Sequence, residues 1–219
     1  MPKNRDIPQD LREFNSLFSF IAMRHDAARV FDDFLTLVIC VLARQTQEDW
    51  YLSTIRKYSE DEINIFPKML GSLFIIYENA RRAGEWTDPL GSFYEAIAGN
   101  YKKSGLGQFF TPEALCTMCA QMIIPKGTFG KNINEPTCGS GRMILATHVH
   151  APGNYYVAQD RDHICVKMTC INLAMHGVKA EVHHMDTLLM NTPWNSYIIN
   201  HDYWKTKTPF VYKINENEN

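Results

Sequence analysis

The sequence predicts an α/β fold in which a parallel sheet with crossover helices follows a helical N-terminal region. Three observations predict it. Apolar residues recur at helical spacing through most of the first hundred residues. Beyond "KKSGLG", residues 102–107, short strand-like segments alternate with helical ones, as in parallel sheets. The stretch "EPTCGSGRM", residues 135–143, places two glycines between a predicted strand and a predicted helix, where α/β folds bind ligands.

Four amphipathic helices are predicted in the N-terminal region. The apolar residues of the first lie within 11–21 and those of the second within 30–41. The third covers 67–84, because proline suits a first helical position and two arginines before a glycine mark a helix end. The fourth follows Pro89 as "LGSFYEAIAGN". We therefore expect a helical domain over residues 1–104.

The remainder, residues 105–219, is expected to form the sheet-containing domain. Each of its first three predicted strands leads towards an acid, so these acids are expected at one sheet edge. The strand candidates are "KNIN" before Glu135, "YYVAQ" before Asp160, "AEVHH" before Asp186 and "SYIIN" at 196–200; the helix candidates are 112–122, 141–149 and 162–175.

The predicted order of four parallel strands is 3-2-1-4, which leaves the fourth strand with an unpaired edge. Proteins usually cover such an edge. The stretch "TPFVYKI", residues 208–214, could supply a short covering strand. Otherwise a second copy, in a homo-oligomer, or another subunit must cover it.

The composition is that of a soluble protein with no overall attraction to nucleic acid. The 219 residues are 45% hydrophobic, and the formal net charge is -2. The N-terminus lacks the apolar core of a signal peptide, and the longest apolar run, 34–43, is about half a membrane span. We expect a cytoplasmic protein with reduced cysteines and without a membrane segment. Cys116 and Cys119 form a C-x-x-C pair, but no second Cys or His pair lies at zinc-ribbon spacing. Adjacent histidines in a strand point to opposite faces, so only one of His183 and His184 could join a site, and metal binding is not expected.

The glycine stretch admits more than one interpretation. A dinucleotide site requires a third glycine where this chain has Ile144, and the Gly-Lys-Ser/Thr of a P-loop is absent. Asp160 lies roughly 20 residues after the glycines, where a carboxylate can bind ribose hydroxyls. A ribose ligand without a phosphate clamp indicates S-adenosylmethionine. The alternative is that the glycines form a tight turn and that Asp160 is a solvated strand end.

Four separated segments carry a resemblance to a known family. They are "SGLGQFFTPEAL" at 104–115, "NEPTCGSGRMILA", "YYVAQDRDHICVKMTCINLAMHG" and "HHMDTLL", in that order. Their order and spacing resemble those of adenine-specific DNA methyltransferases, in particular the modification subunits of type I restriction-modification systems, over about residues 67–200. The resemblance implies a Rossmann-like, S-adenosylmethionine-dependent methyltransferase core with a truncated parallel sheet, preceded by a helical domain.

The resemblance also implies which residues bind the cofactor. "GQFFTP" corresponds to the segment that closes over the methionine end; aromatic rings can cover a sulfonium, and Thr111 resembles a helix N-cap. Glu135 is expected to accept from the methionine ammonium, and Asp160 to bind the ribose hydroxyls. Asp186 is expected near the adenine amine, with Leu188 as a wall of that pocket. The full expected set is Gln108, Phe109, Phe110, Thr111, Pro112, Glu135, Thr137, Gly139, Ser140, Gly141, Asp160, Asp186 and Leu188.

The family's catalytic motif is Asn-Pro-Pro followed by Tyr or Phe, just after the fourth strand. This chain has "NHDY" there. By resemblance, Asn200 accepts hydrogen bonds from the target amine and Tyr203 stacks on the flipped base. His201 and Asp202 replace the two prolines, whose rigid backbone aims the asparagine in the family. The alternative is that "NHDY" is only the end of a strand and a turn.

Two functions of different classes follow. The leading hypothesis is methyl transfer from S-adenosylmethionine to the exocyclic amine of adenine in DNA, with a specificity subunit or a second methyltransferase subunit as partner. The other is a non-catalytic module that keeps the cofactor pocket, or only the fold, and acts through protein contacts. An NAD-dependent enzyme is disfavoured by Ile144.

Overall fold

The computed structural model describes residues 7–100 and 109–214, and the first of these ranges is helical. Four helices fall where the sequence predicts them, and two shorter ones, the third and fourth along the chain, were not predicted. Within the described ranges, none of the helices is both long and apolar enough to cross a membrane. The helices are α1 (Arg12–Ala22), α2 (Ala27–Leu42), α3 (Glu48–Ile55), α4 (Glu60–Ile63), α5 (Phe66–Ala83) and α6 (Pro89–Asn100).

Local signals set the ends of these helices. Asp26 accepts a hydrogen bond from the backbone N–H of Arg29 and so caps α2. Ser59 and Glu62 form a capping box at the start of α4. Helix α5 ends at Gly84, whose φ of 70° lies in the left-handed region that glycine adopts at little cost.

The second described range contains a five-stranded mixed sheet. Its strand order is β1-β2-β3-β4-β5; the first three strands are parallel, and the last two each run antiparallel to the strand before. The elements are α7 (Glu113–Ile123), β1 (Asn132–Glu135), α8 (Arg142–His150), β2 (Tyr155–Asp160), α9 (His163–Met175), β3 (Ala180–His184), β4 (Asn195–Ile199), α10 (Tyr203–Thr206) and β5 (Val211–Ile214).

The predicted position of the fourth strand was wrong. Strand β4 pairs with β3 instead of β1 and is antiparallel to it, with Ala180 opposite Ile199. The connection between them, residues 185–194, contains no helix, whereas a parallel crossover requires about a dozen residues or more. A short connection permits the antiparallel return. The covering strand predicted in 208–214 is present as β5, which pairs with β4.

One cluster of buried apolar side chains joins the helical region to the sheet. Helix α9 is central to it, because nearly all of its side chains are buried against α2 and against β2 and β3. Lys167 of α9 donates to the carboxylate of Asp32 and to the hydroxyl of Thr36, both on α2. The predicted domain division between 104 and 105 lies outside the described residues, and buried residues from both sides of it belong to this cluster.

Candidate cofactor-binding site

Three acids that the sequence analysis selected lie at one edge of the sheet. Strands β1, β2 and β3 are parallel neighbours, so Glu135, Asp160 and Asp186 follow or end strands whose carboxyl ends meet. A cleft of about 320 Å³ opens at this edge. The predicted residues in its wall are Phe109, Phe110, Thr111, Glu135, Thr137, Gly139, Ser140 and Asp160, and Cys138, Arg142, Met143 and Cys165 also line it.

Gly139 and Gly141 form the turn that leads from β1 into α8. Their φ angles of 55° and 92° lie in the left-handed region, which side chains disfavour. A Cβ on Gly139 would lie 2.9 Å from the ring of Phe110, which is closer than carbon atoms approach. Thr169 of α9 holds the turn by donating its hydroxyl to the carbonyl of Gly139 at 2.8 Å. Backbone conformation therefore favours glycine at both positions, and at Gly139 the close approach of the Phe110 ring requires it as well.

Asp160 holds the same turn from β2. Its Oδ2 accepts from the N–H of Gly139 at 2.9 Å, and its Oδ1 accepts from the N–H of Asp162 at 2.8 Å. Burial raises the pKa of the Asp160 carboxyl, although the two amides oppose the shift. Each oxygen keeps a lone pair, so the carboxylate can still accept from a ribose hydroxyl.

Glu135 is a half-buried carboxylate with weak protein donors. Its Oε1 lies 3.4 Å from the backbone nitrogen of Thr137 and 3.5 Å from the Thr137 hydroxyl, both at the long limit for hydrogen bonds. Burial raises the pKa of Glu135. A carboxylate so placed has lost water without gaining strong donors, which suits it to an ammonium ligand.

The loop after β3 reaches the same edge of the sheet. The hydroxyl of Thr187 donates to the carbonyl of Pro136 at 2.8 Å, which joins this loop to the glycine turn. Asp186 accepts from the N–H of Leu188 at 3.1 Å and lies 3.6 Å from the Nε of Arg161. The Leu188 residue is 94% exposed, and neither it nor Asp186 lines the cleft. Their contact with an adenine ring stays a prediction.

The segment predicted to close over the methionine end is described from Phe109 onwards, and Gln108 lies outside the described residues. The ring of Phe110 lies on the glycine turn, whereas Phe109 is exposed. Pro112 occupies the N-cap position of α7 without a side-chain hydrogen bond, so the expectation that Thr111 caps the helix was wrong by one residue. Proline lacks an N–H and has a fixed φ, which makes it compatible with a helix start.

A buried polar network that was not predicted from the sequence lies beneath the glycine turn. Asp88, just before α6, accepts from the hydroxyl of Ser140 and from the Nε of Arg142, both at 2.6 Å. Asn172 of α9 donates to Asp88 at 2.7 Å and to the carbonyl of Ser140 at 2.8 Å. Asp88 also accepts from the N–H of Gly91, a local helix-start pattern that the sequence contains. Its partners more than 50 residues away leave no comparable signal in the sequence.

Asn200 and Tyr203 lie at the opposite edge of the sheet, because β4 is antiparallel to β3. Asn200 is 1% exposed, and its Nδ2 donates to three backbone carbonyl oxygens at the end of α9 and in the turn after it. Its Oδ1 accepts from the N–H of Phe210 at 2.9 Å. The ring of Tyr203 packs against Gly177. Contrary to expectation, the structure does not bring these two residues to the cofactor cleft.

The chemistry of the cleft fits S-adenosylmethionine. Glu135 offers an acceptor for an ammonium, Asp160 offers acceptors for vicinal hydroxyls, and Phe110 offers a ring face for a sulfonium. In 7–100 and 109–214, no group of three or more His, Cys, Asp or Glu residues is placed to hold a metal ion.

Comparison with known proteins agrees with this chemistry. Residues 85–219, more than half of the chain, match the family described as N-6 DNA Methylase. The methylase subunit of the type I restriction enzyme EcoEI from Escherichia coli is 27% identical over 135 residues, covering 55% of this chain and 27% of that protein. The MjaVII methylase subunit from Methanocaldococcus jannaschii is 25% identical over 151 residues, covering 58% and 26%. The chain thus spans about a quarter of the length of these curated relatives.

A solved structure is also similar. It is the type I restriction-modification system methyltransferase subunit from Streptococcus thermophilus, which is 22% identical to this chain. The superposition covers 86% of this chain and 42% of that protein, with a TM-score of 0.46.

Proposed function

Because this chain belongs to the N-6 DNA methylase family, we propose that it supplies the cofactor-binding part of a DNA adenine-N6 methyltransferase of the restriction-modification kind. S-adenosylmethionine is the cofactor of this family. The observation that carries the proposal is the convergence of Glu135, the glycine turn and Asp160 on one cleft beside Phe110.

Each residue of the cleft has a task that its geometry permits. Glu135 accepts from the methionine ammonium, because its carboxylate has only weak donors in the described part of the chain. Asp160 accepts from the ribose hydroxyls while two backbone amides keep it in place. Phe110 covers the sulfonium. Asp186, which lies at the same sheet edge but outside the cleft wall, accepts from the adenine amine. S-adenosylmethionine, when bound, would supply an electrophilic methyl group for the exocyclic amine of a flipped adenine; the S–CH3 bond would break, S-adenosylhomocysteine would leave, and the amine would lose one proton to solvent.

The groups that bind the target adenine come, in this proposal, from elsewhere in the assembly. Asn200 is bonded to backbone at the other edge of the sheet. The net charge of -2 gives this chain little attraction for DNA. We therefore propose that it binds DNA together with a specificity subunit or a second methyltransferase subunit. A homo-oligomer was expected because the edge of β4 would otherwise be open. In the structure β5 covers that edge, so this reason no longer applies.

Calorimetric titration of the purified chain with S-adenosylmethionine and S-adenosylhomocysteine tests the proposal. Binding is expected, and Asp160→Ala should lose it, because the carboxylate holds both the turn and the ribose. Asp202→Ala is the matched control: it removes an acid at the opposite edge, paired with Arg44 at 3.1 Å, and should bind normally. If neither ligand binds the unmodified chain, the cofactor role is refuted.

Methyl transfer requires a separate assay. Adenine-containing duplex DNA is incubated with S-adenosylmethionine and the chain, with and without candidate partner subunits, and N6-methyladenine is measured. We expect product only when a partner is present. Cofactor binding without product under every partner condition would refute the catalytic part alone.

A second candidate function is a non-catalytic module that binds the cofactor and acts through protein contacts. The specific observation that favours it is Asn200, whose side-chain donors and acceptor are all used by the protein's own backbone. This candidate predicts normal calorimetric binding and no methylated DNA with any partner subunit.

A further inference from the structure

We propose that Glu95 is a positioning residue for the cofactor cleft: together with Arg142 it holds the Phe110–Thr111 segment against the glycine turn and so sets the affinity for S-adenosylmethionine. The inference rests on the proposed cofactor role of the cleft. Glu95 does not line the cleft itself, so it acts through the residues that do.

Arg142, in the first turn of α8, joins three parts of the molecule through one guanidinium. Its Nε donates to Asp88 at 2.6 Å, and its Nη2 donates to the Oε2 of Glu95 at 2.9 Å. Its Nη1 donates to the carbonyl of Thr111 at 3.4 Å, and the guanidinium lies 5.4 Å from the ring centre of Phe110. The Arg142 side chain is only 7% exposed, so these contacts form away from bulk water, where charged hydrogen bonds are stronger.

Glu95, on α6, binds the same segment directly as well as through Arg142. Its Oε1 accepts from the backbone N–H of Phe110 at 2.9 Å, while its Oε2 accepts from Arg142. A hydrogen bond to an ionised acceptor is roughly twice as strong as one between neutral groups. The Glu95 side chain is 28% exposed, in contrast to the fully buried side chain of Asp88. When the Glu95 charge is removed, Arg142 remains paired with Asp88, so no unpaired charge is left in the core.

Phe110 connects the contacts of Glu95 and Arg142 with the cleft. Its ring is so close to Gly139 that a Cβ there would lie 2.9 Å away, and both Phe110 and Thr111 line the cleft. If the segment is no longer held, it must be ordered when the ligand binds. That loss of conformational entropy lowers the affinity.

The test compares Glu95→Gln with Glu78→Gln in the full chain. The glutamine at 95 has one carbonyl oxygen, so it cannot accept from both Phe110 and Arg142 as the carboxylate does. We expect the Kd for S-adenosylhomocysteine to rise about tenfold. Hydrogen exchange at the Phe110 amide should become faster, with little change in Tm. Glu78 is the matched control, because it binds Arg81 and Arg82 within α5 and its side chain is 24% exposed. Glu78→Gln should change neither affinity nor exchange at Phe110.

Each outcome has one meaning. Faster exchange with weaker binding in Glu95→Gln supports the positioning role, because an ion pair that merely stabilises the fold would change Tm and not these two local readouts. Unchanged exchange at Phe110, or unchanged affinity, overturns it. If the unmodified chain does not bind the ligand, the proposed cofactor function fails and this inference fails with it; normal binding by both variants overturns only the role of Glu95.

Discussion

Glu135 is placed in a way that favours ligand binding but lowers the stability of the free protein. It is half-buried, and its hydrogen bonds to Thr137 are long. Burial raises its pKa, so the folded state favours the protonated form. Its favourable contribution to stability is therefore present below the unfolded-state pKa and is lost as pH rises through the raised folded-state pKa. At neutral pH the ionised carboxylate destabilises the folded protein, and a bound ammonium would offset that destabilisation.

Replacement of Glu135 by Gln should stabilise the free protein and weaken cofactor binding. We expect a gain of roughly 2 °C in Tm at pH 7, because the amide avoids the desolvation of a charge, a modest effect at a site that is partly solvated. The Kd for S-adenosylhomocysteine should rise at least about tenfold, through loss of the charged hydrogen bond. Thermal unfolding and calorimetry check the two effects. A lower Tm together with unchanged affinity would show that Glu135 is a structural residue.

The same residue predicts a pH dependence of binding. As pH is lowered through the raised pKa of Glu135, a proton competes with the ligand's ammonium, so the Kd should increase. The increase should begin at a higher pH than the ordinary pKa of a glutamate would give. Calorimetry across this range on the unmodified chain and on Glu135→Gln checks it. The variant should retain a shallower dependence, from Asp160, whose pKa burial also raises; equal slopes in the two proteins would contradict the assignment.

Asn200 is expected to matter for stability and not for cofactor binding. Asn200→Ala removes the partner of three buried carbonyls and of the Phe210 N–H. It also forces alanine into a φ of 56°, so we expect a loss of about 3 kcal/mol. Asn200→Gly tolerates that backbone conformation and should lose less. Chemical denaturation measures both variants; a stable Asn200→Ala protein that has lost methyl transfer would instead identify Asn200 as a catalytic residue.

At the scale of elements, the sequence predicted what depends on near neighbours. Helices α1, α2, α5 and α6 follow from apolar periodicity and end signals within a few residues. The glycine turn follows from the residues at its own positions. The partner of β4 could not be found in this way, because the residue pattern within a strand does not show which neighbouring strand it pairs with, even though only ten residues separate β3 from β4. The short 185–194 connection carried the missing information, since it favours an antiparallel return over a crossover past two strands.

The contact between the glycine turn and the Phe110 ring predicts the effect of adding a side chain to the turn. Gly139→Ala should lower the affinity for S-adenosylhomocysteine at least about tenfold, because the new Cβ meets the Phe110 ring and the backbone has a φ of 55°. Gly71→Ala is the control: it lies within α5 with nothing within 4 Å of the added Cβ, so it should gain about 1 kcal/mol in stability. Calorimetry and thermal unfolding are measured on both. Normal binding by Gly139→Ala would mean that the turn and the ring do not shape the ligand site.

At the scale of the whole molecule, charged and polar contacts tie the helical region to the sheet region at several places, of which two bear on the site. Lys167 of α9 reaches Asp32 and Thr36 on α2. Asp88, before α6, reaches Ser140 and Arg142 of the glycine turn. The predicted site residues lie in the sheet region, but two of the residues that hold them, Asp88 and Glu95, come from the helical region. This dependence between distant segments is why Asp88 and Glu95 could not be assigned from the sequence.

The shared core predicts that the 219-residue chain unfolds as one cooperative unit, even though the sequence suggests a division between 104 and 105. Far-ultraviolet circular dichroism reports mainly on the helices, and tryptophan fluorescence reports on both regions, through Trp50 and Trp86 before the division and Trp194 and Trp204 after it. We expect coincident denaturation curves by the two probes.

S-adenosylhomocysteine at a hundred times its Kd should shift both curves together, by about 2.7 kcal/mol, because ligand binding stabilises everything that unfolds with the site. Phe110 is held by Glu95 of α6, so loss of the helical region must also loosen the cleft. Two separate transitions, of which the ligand shifts only one, would show instead that the helices fold independently of the cofactor site.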